Sequence, residues 1–191
     1  GKEELQMIER IGRVCYKSED KITEDGESAK KFVRMLINAH HEAMIEHSTL
    51  SVMFTVDRGV SHEMVRHRIA SFAQESTRYV NYSKDKYGSE INVIDLAPGI
   101  ALDRRMQDMP AETIEAILNE WELAMLDAEK HYMKMIELGA TAQIARSVLP
   151  NSTKTNITIT ANYREWRNYF RLRTADDAHP QIREVSVPLL M

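Results

Sequence analysis

The segment between Pro110 and Gly139 predicts one long helix, and it constrains the fold more than any other part of the chain. Proline favours the first position of a helix, and glycine favours the position just after its last residue. Apolar residues between them recur at helical spacing: Ile114, Ile117, Trp121, Ala124, Ala128, Met135 and Ile136. At about 1.5 Å per residue, such a helix is about 40 Å long. That length exceeds what the core of one small domain covers, so we predict that the helix packs against a second subunit.

Shorter patterns predict further helices and two strands. Residues at helical spacing are Leu5, Ile8, Ile11 and Cys15, and then Phe32, Leu36, Ala39 and Ala43. Apolar and polar residues alternate over 50–57 and over 155–161, which is the period of a half-buried strand. A short helix capped by Ser61 should follow the first strand, and a helix should start at Asn162 after the second. Because strands and helices do not alternate regularly, we predict an α+β fold, with one domain over residues 1–191 and a central, largely antiparallel twisted sheet flanked by helices.

Composition argues against several classes of function. The formal charge of −4 disfavours general binding to nucleic acid or to a membrane surface. No apolar run approaches the roughly 20 residues of a membrane-spanning helix, and no signal peptide is visible. The single cysteine excludes an internal disulfide framework. We therefore expect a cytoplasmic protein with no nucleic-acid or membrane partner, and, since the chain starts at Gly1 without an initiator methionine, one that is trimmed at one or both ends.

Residues 66–79 concentrate cationic and hydroxyl side chains. They read Arg-His-Arg-Ile-Ala-Ser-Phe-Ala-Gln-Glu-Ser-Thr-Arg-Tyr. Arginine stays charged at physiological pH, and its planar fork of donors matches phosphate and carboxylate oxygens. A solvated basic face of a helix is the alternative, but the polar residues continue at Gln74, Ser76 and Arg78, past a single helical turn. The segment therefore predicts an anion-binding site.

The histidines raise the question of a metal site. Five of the seven lie within residues 40–67. A zinc-protease helix needs two histidines four residues apart, so that both face the ion. On a helix, His41 and His47 would be about 240° apart, and His62 and His67 about 140° apart. Neither pair converges, so we predict no metal site.

The helix after Asn162 carries a second polar constellation. Arg164, Asn168 and Leu172 are spaced by four, so they share one stripe of that helix and offer a charge, an amide and an apolar surface. Arg173 lies about 180° around the helix from Arg164. We infer that one helix can serve two ligands.

These segments together resemble the signature of the flavin-dependent thymidylate synthases. The likeness includes Arg66-His67-Arg68, a serine three residues later, and Ser76-Thr77-Arg78-Tyr79. Further blocks that look like those of the family are 41–47, 62–65, 145–150, and Asn162-Tyr163-Arg164 with Asn168, Leu172 and Arg173. The resemblance therefore covers most of the chain.

The resemblance implies reductive methylation of dUMP to dTMP, with methylenetetrahydrofolate as carbon donor and NADPH-reduced FAD as hydride source. The implied dUMP-binding residues are Glu63, Met64, Val65, Arg66, Gln74, Glu75, Ser76, Thr77, Arg78, Arg146 and Arg173, with Glu63 to Val65 supplied by a neighbouring chain. The implied FAD-binding residues are Ala43, Glu46, Arg66, His67, Arg68, Gln74, Asn162, Arg164 and Asn168. The resemblance also implies a homotetramer whose active sites draw on several chains.

The residue types favour electrostatic activation of the pyrimidine. Cys15 continues the apolar stripe of the first helix, so we predict a buried packing role for it rather than a nucleophilic one. No Asp/His relay accompanies Ser76 in the sequence, and we interpret it as a hydrogen-bond donor to substrate. Arg173 is our predicted catalytic residue, because its guanidinium can stabilise negative charge that develops on the pyrimidine. No glycine-rich dinucleotide turn or phosphate loop occurs, so FAD is expected to bind through side chains and an interface.

Two positions depart from the family pattern, and two alternative functions stay open. Glu75 places a carboxylate near an expected phosphate, so we predict that its side chain points away. The interval between Arg173 and His179 is longer than in many relatives, so His179 is not included among the flavin contacts. One alternative is a non-catalytic nucleotide-binding module, which would purify without flavin. The other is a flavoprotein oxidoreductase, which would oxidise NADPH without dUMP or folate.

Overall fold

Helices outnumber strands in this chain, whose computed structural model describes residues 1–84, 88 and 90–191. The α-helices are α1 (Lys2–Tyr16), α2 (Glu27–Asn38), α3 (Arg58–Met64), α4 (Ala97–Leu102), α5 (Ala111–Glu137), α6 (Ala142–Ala145), α7 (Tyr163–Arg173) and α8 (Pro180–Leu190). The strands are β1 (Thr49–Asp57), β2 (Ala70–Gln74) and β3 (Lys154–Asn162). Short 3-10 helices include Glu19–Lys21, Glu42–His47 and Arg146–Val148.

The three strands form a small antiparallel sheet in the order β1-β3-β2. The buried side chains of β3 are Thr155, Ile157, Ile159 and Ala161. They alternate with half-buried ones along the whole strand, as the period-two pattern predicted. In β1, Phe54 and Val56 are buried but Leu50 is exposed, so only the second half of that strand joins the core. The predicted α+β class with an antiparallel sheet is confirmed.

The chain divides into two compact units, of which the first comprises Gly1–Val52, Ile69–Ser71 and Thr160–Tyr169. Its buried core residues are Ile8, Phe32, Val33, Leu36 and Ile45. Gly12 of α1 lies directly against Phe32 of α2, and a Cβ at Gly12 would stand 2.5 Å from the Phe32 ring. The close packing of α1 on α2 therefore depends on a glycine at this position.

The second unit comprises Met53–Arg68, Phe72–Ile159 and Phe170–Met191. Tyr82 and Tyr132 pack edge to face in one of its cores, with their ring centroids 5.7 Å apart. Helix α5 has 27 residues, which confirms the predicted long helix. Tyr132 is its one fully buried residue, whereas Leu123 and Leu126 are 53% and 57% exposed. Much of α5 therefore lies outside the core of its own unit.

The end of the second helix differs from the prediction. Helix α2 ends at Asn38 and does not reach Ala43. His40 adopts a left-handed backbone conformation with φ 57°, which interrupts the helical path. Ala43 then lies in the 3-10 helix Glu42–His47. Apolar residues at helical spacing continue past Asn38 to Ala39 and Ala43, so the sequence pattern predicted one helix across this break.

The start of the third helix is also earlier than predicted. Helix α3 begins at Arg58, and its cap is Asp57, whose Oδ1 accepts a hydrogen bond from the Val60 N–H at 2.6 Å. The Ser61 hydroxyl instead donates to the Arg58 carbonyl at 2.9 Å, inside the helix. Asp57, the last residue of β1, therefore caps α3 in place of Ser61.

Two further features depart from the sequence prediction. Strand β2 was not predicted, because it is only five residues long and lies inside the polar segment 66–79. Cys15 is exposed, so its predicted buried role is wrong. The last turn of α1, which also contains the exposed Val14, does not share the burial of the preceding turns.

Neither a membrane span nor a metal cluster is found in the described part of the chain. No helix there is long and apolar enough to cross a bilayer. No three His, Cys, Asp or Glu side chains there group closely enough to hold a metal ion.

Candidate functional site

Arg173 is held by three hydrogen bonds within the second unit. Its Nη1 donates to Glu63 Oε2 at 2.7 Å, its Nη2 to the Glu63 carbonyl at 3.0 Å, and its Nε to His67 Nε2 at 3.0 Å. Glu63 lies on α3, and His67 follows the end of that helix. The Arg173 side chain is only 17% exposed. A guanidinium carries five N–H donors, so one on each terminal nitrogen is left for a ligand.

His67 fixes the orientation of Arg173 and is fixed by it in turn. Its ring is buried. Because Nε2 accepts the hydrogen bond from Arg173, the imidazole is neutral and carries its proton on Nδ1. His67 therefore supports Arg173 directly, a role that the sequence did not predict.

Gln74 ties the end of strand β2 to helix α3 and to strand β3. Its Nε2 donates to Ser61 Oγ at 2.8 Å and to Thr155 Oγ1 at 3.3 Å. The next residue, Glu75, donates its N–H to the Asn156 carbonyl at 2.9 Å. These bonds hold the start of the turn that carries Ser76, Thr77 and Arg78.

A cleft of about 650 Å³ lies beside this turn, within the range of small-ligand sites. Its lining residues are Arg58, His62, Thr77, Gln143, Ile144, Arg146, Ser147, Leu149, Pro150 and Asn151. Arg146 Nη1 donates to the buried Thr77 Oγ1 at 3.5 Å, and Arg78 Nε donates to Gln143 Oε1 at 3.0 Å. The cleft thus brings together Thr77 and Arg146, two of the predicted dUMP-binding residues.

The predicted binding residues Met64, Val65, Arg66 and Arg68 differ in their exposure to solvent. Arg66 and Arg68 are exposed, and among the described residues neither has a carboxylate oxygen within 4.0 Å. Val65 is partly exposed, whereas Met64 is fully buried. The Met64 side chain therefore belongs to the core of its unit. Of these four residues, Val65, Arg66 and Arg68 present their side chains to a ligand.

A separate polar cluster occupies the first unit. Arg164 at the start of α7 donates from Nη1 to Glu46 Oε1 at 2.5 Å, and its Nε lies 3.7 Å from Glu42 Oε2. The hydrogen bond to Glu46 raises the pKa of Arg164 above its ordinary value. Arg164 is still 54% exposed, so its guanidinium remains accessible to a ligand. Ala43 is exposed in the same 3-10 helix as the two glutamates.

Two asparagines complete that cluster along α7. Asn162 caps the helix, because its Oδ1 accepts a hydrogen bond from the Glu165 N–H at 2.9 Å. Asn168 Nδ2 donates to Glu165 Oε1 at 3.3 Å, one turn further along. Arg164, Asn168 and Leu172, the residues of the predicted stripe, all lie on α7.

The predicted binding residues divide between the two units. All of the predicted dUMP-binding residues lie in the second unit. The predicted FAD-binding residues of the first unit are Ala43, Glu46, Asn162, Arg164 and Asn168, and those of the second are Arg66, His67, Arg68 and Gln74. Within the second unit, Arg173 is hydrogen-bonded to Glu63 and His67, and Arg146 is hydrogen-bonded to Thr77.

Sequence reasoning missed Arg58 and His62 as lining residues of the cleft. Arg58 Nη1 donates to the Glu75 carbonyl at 3.4 Å, beside the predicted dUMP-binding turn. The missed signal was the Asp57 cap, because a helix that starts at Arg58 places that residue and His62 one turn apart on the same helix.

Comparison with known proteins identifies the family. The model of the thymidylate synthase complementing protein family matches residues 2–190. The chain belongs to the flavin-dependent thymidylate synthase family. A flavin-dependent thymidylate synthase from Mycolicibacterium gilvum is 30% identical over 185 residues, which cover 96% of this chain and 73% of the relative. Those of Mycolicibacterium vanbaalenii and Corynebacterium aurimucosum are each 31% identical, over 192 and 190 residues, with the same coverage.

Membership of the flavin-dependent thymidylate synthase family confirms the resemblance found in the sequence. The matched region runs from residue 2 to residue 190, so both compact units belong to it.

Proposed function

We propose that this chain is a FAD-dependent thymidylate synthase. The reaction is dUMP plus methylenetetrahydrofolate, NADPH and a proton, giving dTMP, tetrahydrofolate and NADP⁺. The observation that carries the proposal is the anchored guanidinium of Arg173, held by Glu63 and His67 within the segments that match the family. An arginine fixed in this way is a preorganised site for negative charge.

Arg173 is the proposed catalytic residue. Attack of the pyrimidine C5 on a one-carbon donor requires electron density in the ring, and a guanidinium beside O4, O2 or N3 stabilises the charge that develops. The two N–H groups that Arg173 keeps beyond its three bonds supply such contacts. Glu63 and His67 hold the guanidinium plane before substrate arrives, so little reorganisation is needed.

Ser76 has a positioning role in this proposal. Its Oγ accepts a hydrogen bond from the Arg78 N–H at 3.3 Å, and no histidine is bonded to it among the described residues. A serine without a base is a poor nucleophile. Its hydroxyl proton is therefore available for donation to the nucleotide.

The side chains present suit FAD. Arg66 and Arg68 are exposed cations without a carboxylate partner in the described part of the chain, as a pyrophosphate requires. Arg164 and Asn168 offer a further charge and an amide on α7, and Asn162 offers a second amide at the end of β3. FAD, when bound, supplies hydride transfer, which arginine, serine and histidine side chains do not.

We also propose that the two units act as one domain and that four chains assemble. The exposed leucines of α5 and the eleven methionines provide apolar surface for subunit contacts. NADPH as the reductant and the cytoplasmic location remain predictions from the sequence.

The deciding experiment is an absorbance spectrum of the purified protein followed by an anaerobic assay for dTMP. We expect a flavin spectrum that changes on addition of dUMP, and dTMP formation only when dUMP, methylenetetrahydrofolate and NADPH are all present. A colourless protein that fails to take up FAD would favour the nucleotide-binding module. Oxidation of NADPH that needs neither dUMP nor folate, without dTMP, would favour the oxidoreductase.

A further inference from the structure

Tyr16 and His41 form a side-chain contact in the first unit that belongs to neither of the predicted binding sets. Tyr16 is the last residue of α1, and His41 lies just before the 3-10 helix Glu42–His47. The Tyr16 hydroxyl is hydrogen-bonded to His41 Nδ1, and the two rings are stacked with an interplanar angle of 24° and centroids 6.2 Å apart. The contact therefore links the end of the first helix to this 3-10 helix.

The Tyr16 ring is oriented by the core of the first unit, although the residue is 42% exposed. It packs edge to face on the buried Phe32 ring, with centroids 5.9 Å apart. The Arg13 guanidinium carbon lies 4.3 Å from the centroid of the same Phe32 ring. Arg13 Nη2 in turn donates to Oε1 of the fully buried Glu9 at 2.9 Å. Because Phe32 is held in this way, Tyr16 presents its hydroxyl in a defined direction.

His41 has a fixed main chain and one ring nitrogen available to a ligand. Its backbone N–H donates to the Leu36 carbonyl at 2.9 Å. Its side chain is exposed, and Nε2 makes no hydrogen bond within the described part of the chain. The 3-10 helix that follows carries Glu42 and Glu46, and both contact Arg164, a proposed FAD-binding residue. His41 therefore adjoins the polar cluster of the proposed flavin site.

The bond to Tyr16 decides which nitrogen of His41 carries the proton. A phenol oxygen shares its lone pairs with the ring and accepts hydrogen bonds weakly, whereas the unprotonated nitrogen of a neutral imidazole accepts them strongly. In the favoured arrangement the Tyr16 hydroxyl donates to Nδ1, and the proton of the neutral ring is on Nε2. In this state the exposed nitrogen of His41 is a hydrogen-bond donor.

We propose that Tyr16 is a positioning residue for His41, which it holds with an Nε2–H donor directed at an oxygen acceptor of bound FAD. FAD offers such acceptors in its pyrophosphate and in the carbonyl groups of its ring. The assignment rests on the proposed function, since it takes the ligand of this cluster to be FAD. It gives a functional role to the end of α1, which contains none of the predicted binding residues.

The test measures FAD affinity in four forms of the chain: the wild type, Tyr16→Phe, His41→Gln and the double variant. Tyr16→Phe keeps the ring on Phe32 but removes the hydroxyl, and should weaken FAD binding by about three- to tenfold, the effect of one lost hydrogen bond. The amide of His41→Gln places an N–H donor near the position of Nε2 without needing Tyr16, so this variant should bind FAD within about threefold of the wild type. In the His41→Gln chain, Tyr16→Phe should change FAD affinity by less than about twofold.

The matched control is His131→Gln, because His131 is an exposed histidine of α5 and its substitution should leave FAD affinity unchanged. Equal losses from Tyr16→Phe in the wild-type and His41→Gln chains would show a purely structural role and overturn the assignment. Unchanged FAD affinity in Tyr16→Phe alone would also overturn it. A wild type that binds no FAD would instead refute the proposed function, and this assignment with it. If His41→Gln does not fold, His41→Ala takes its place, and the effect of Tyr16→Phe should vanish in that chain as well.

Discussion

Arg173 engages its own chain through all three of its nitrogens, and this arrangement has two opposite effects. The bonds to Glu63 and His67 restrict the guanidinium to one orientation, which favours catalysis by removing the need to order it. The Glu63 carboxylate at 2.7 Å also offsets part of the positive charge that a pyrimidine would meet. Because the Glu63 side chain is partly exposed, we infer that solvent screens this opposing effect and that orientation prevails.

The roles of Arg173 and Ser76 predict different losses of activity. Arg173→Ala should lower the rate of dTMP formation by about a hundred- to a thousandfold, the usual effect of removing a charge-stabilising donor. Ser76→Ala should keep measurable activity, because a positioning hydrogen bond supplies only part of substrate binding. The measurement is anaerobic dTMP formation, with dUMP affinity determined for each variant and Arg171→Ala as the control on the same helix. A covalent adduct of Ser76 with the nucleotide, or an inactive Ser76→Ala that binds dUMP normally, would reverse these roles.

Substitution of Arg164 should weaken flavin binding. Its guanidinium is half-exposed beside Glu46, and Arg164→Ala should weaken FAD by about ten- to a hundredfold if it contacts the cofactor phosphates. Arg167→Ala is the matched control, since Arg167 also pairs with Glu42, at 3.3 Å, but lies three residues further along α7. Titration of the apoprotein with FAD, followed by fluorescence, gives both affinities. Equal affinity in wild type and Arg164→Ala would remove Arg164 from the flavin site.

Residue identity and the family resemblance supply the predicted site residues, whereas the contacts among them come only from the structure. Arginines and serines in 66–79 indicate an anion site from charge and donor geometry alone. The dUMP-binding roles of Arg146 and Arg173 come from the family resemblance, and the catalytic role of Arg173 comes from the chemistry of its guanidinium. The bond from Arg173 to His67 spans 106 positions of sequence and depends on how α7 reaches α3, which no local pattern specifies. The burial of Met64 likewise depends on which face of α3 the fold covers.

At the scale of elements, helix α7 shows what spacing predicts well. A separation of nine residues places Arg164 and Arg173 on opposite sides of a helix, and the two arginines have different partners: glutamates of the 3-10 helix for Arg164, and α3 with His67 for Arg173. Long periodic elements such as α5 and β3 were predicted because many residues contribute to one pattern. Strand β2 has only five residues, so its alternation cannot be distinguished from a polar loop.

Loss of the Asp57 cap should destabilise helix α3. Asp57 is buried, and Asp57→Ala would leave the Val60 N–H without its acceptor, which should cost about 1 to 2 kcal/mol in free energy of unfolding. Thr141→Ala is the control, because Thr141 precedes α6 without a side-chain capping bond and should change stability by less than about 0.5 kcal/mol. Chemical denaturation at one fixed protein concentration measures both. Equal effects of the two substitutions would show that the Asp57 bond does not stabilise α3.

At the scale of the whole molecule, the surface of α5 argues for assembly. Leu123 and Leu126 are more than half exposed on a helix of 27 residues. Burial of such apolar side chains against a partner subunit stabilises the assembly by about 25 cal/mol for each Å² covered. The predicted dUMP-binding set includes Glu63 and Val65, which the resemblance assigns to a neighbouring chain. In the structure, Glu63 forms an ion pair with Arg173 of its own chain. A Glu63 that a neighbouring subunit contributes to the site would therefore already be paired with the Arg173 of that neighbouring subunit.

Shared active sites predict complementation between inactive variants. An Arg66→Ala chain and an Arg173→Ala chain should each be inactive alone and regain activity when unfolded together and refolded as a mixture. If each site takes Arg66 from one chain and Arg173 from another, random mixing restores both arginines in about a quarter of the sites. The measurement is dTMP formation by the mixture, with light scattering to confirm a tetramer and a mixture of each variant with itself as control. A fully active monomer would refute the shared site, whereas a mixed tetramer without recovered activity would mean that both arginines come from the same chain, as the contact between Arg173 and Glu63 allows.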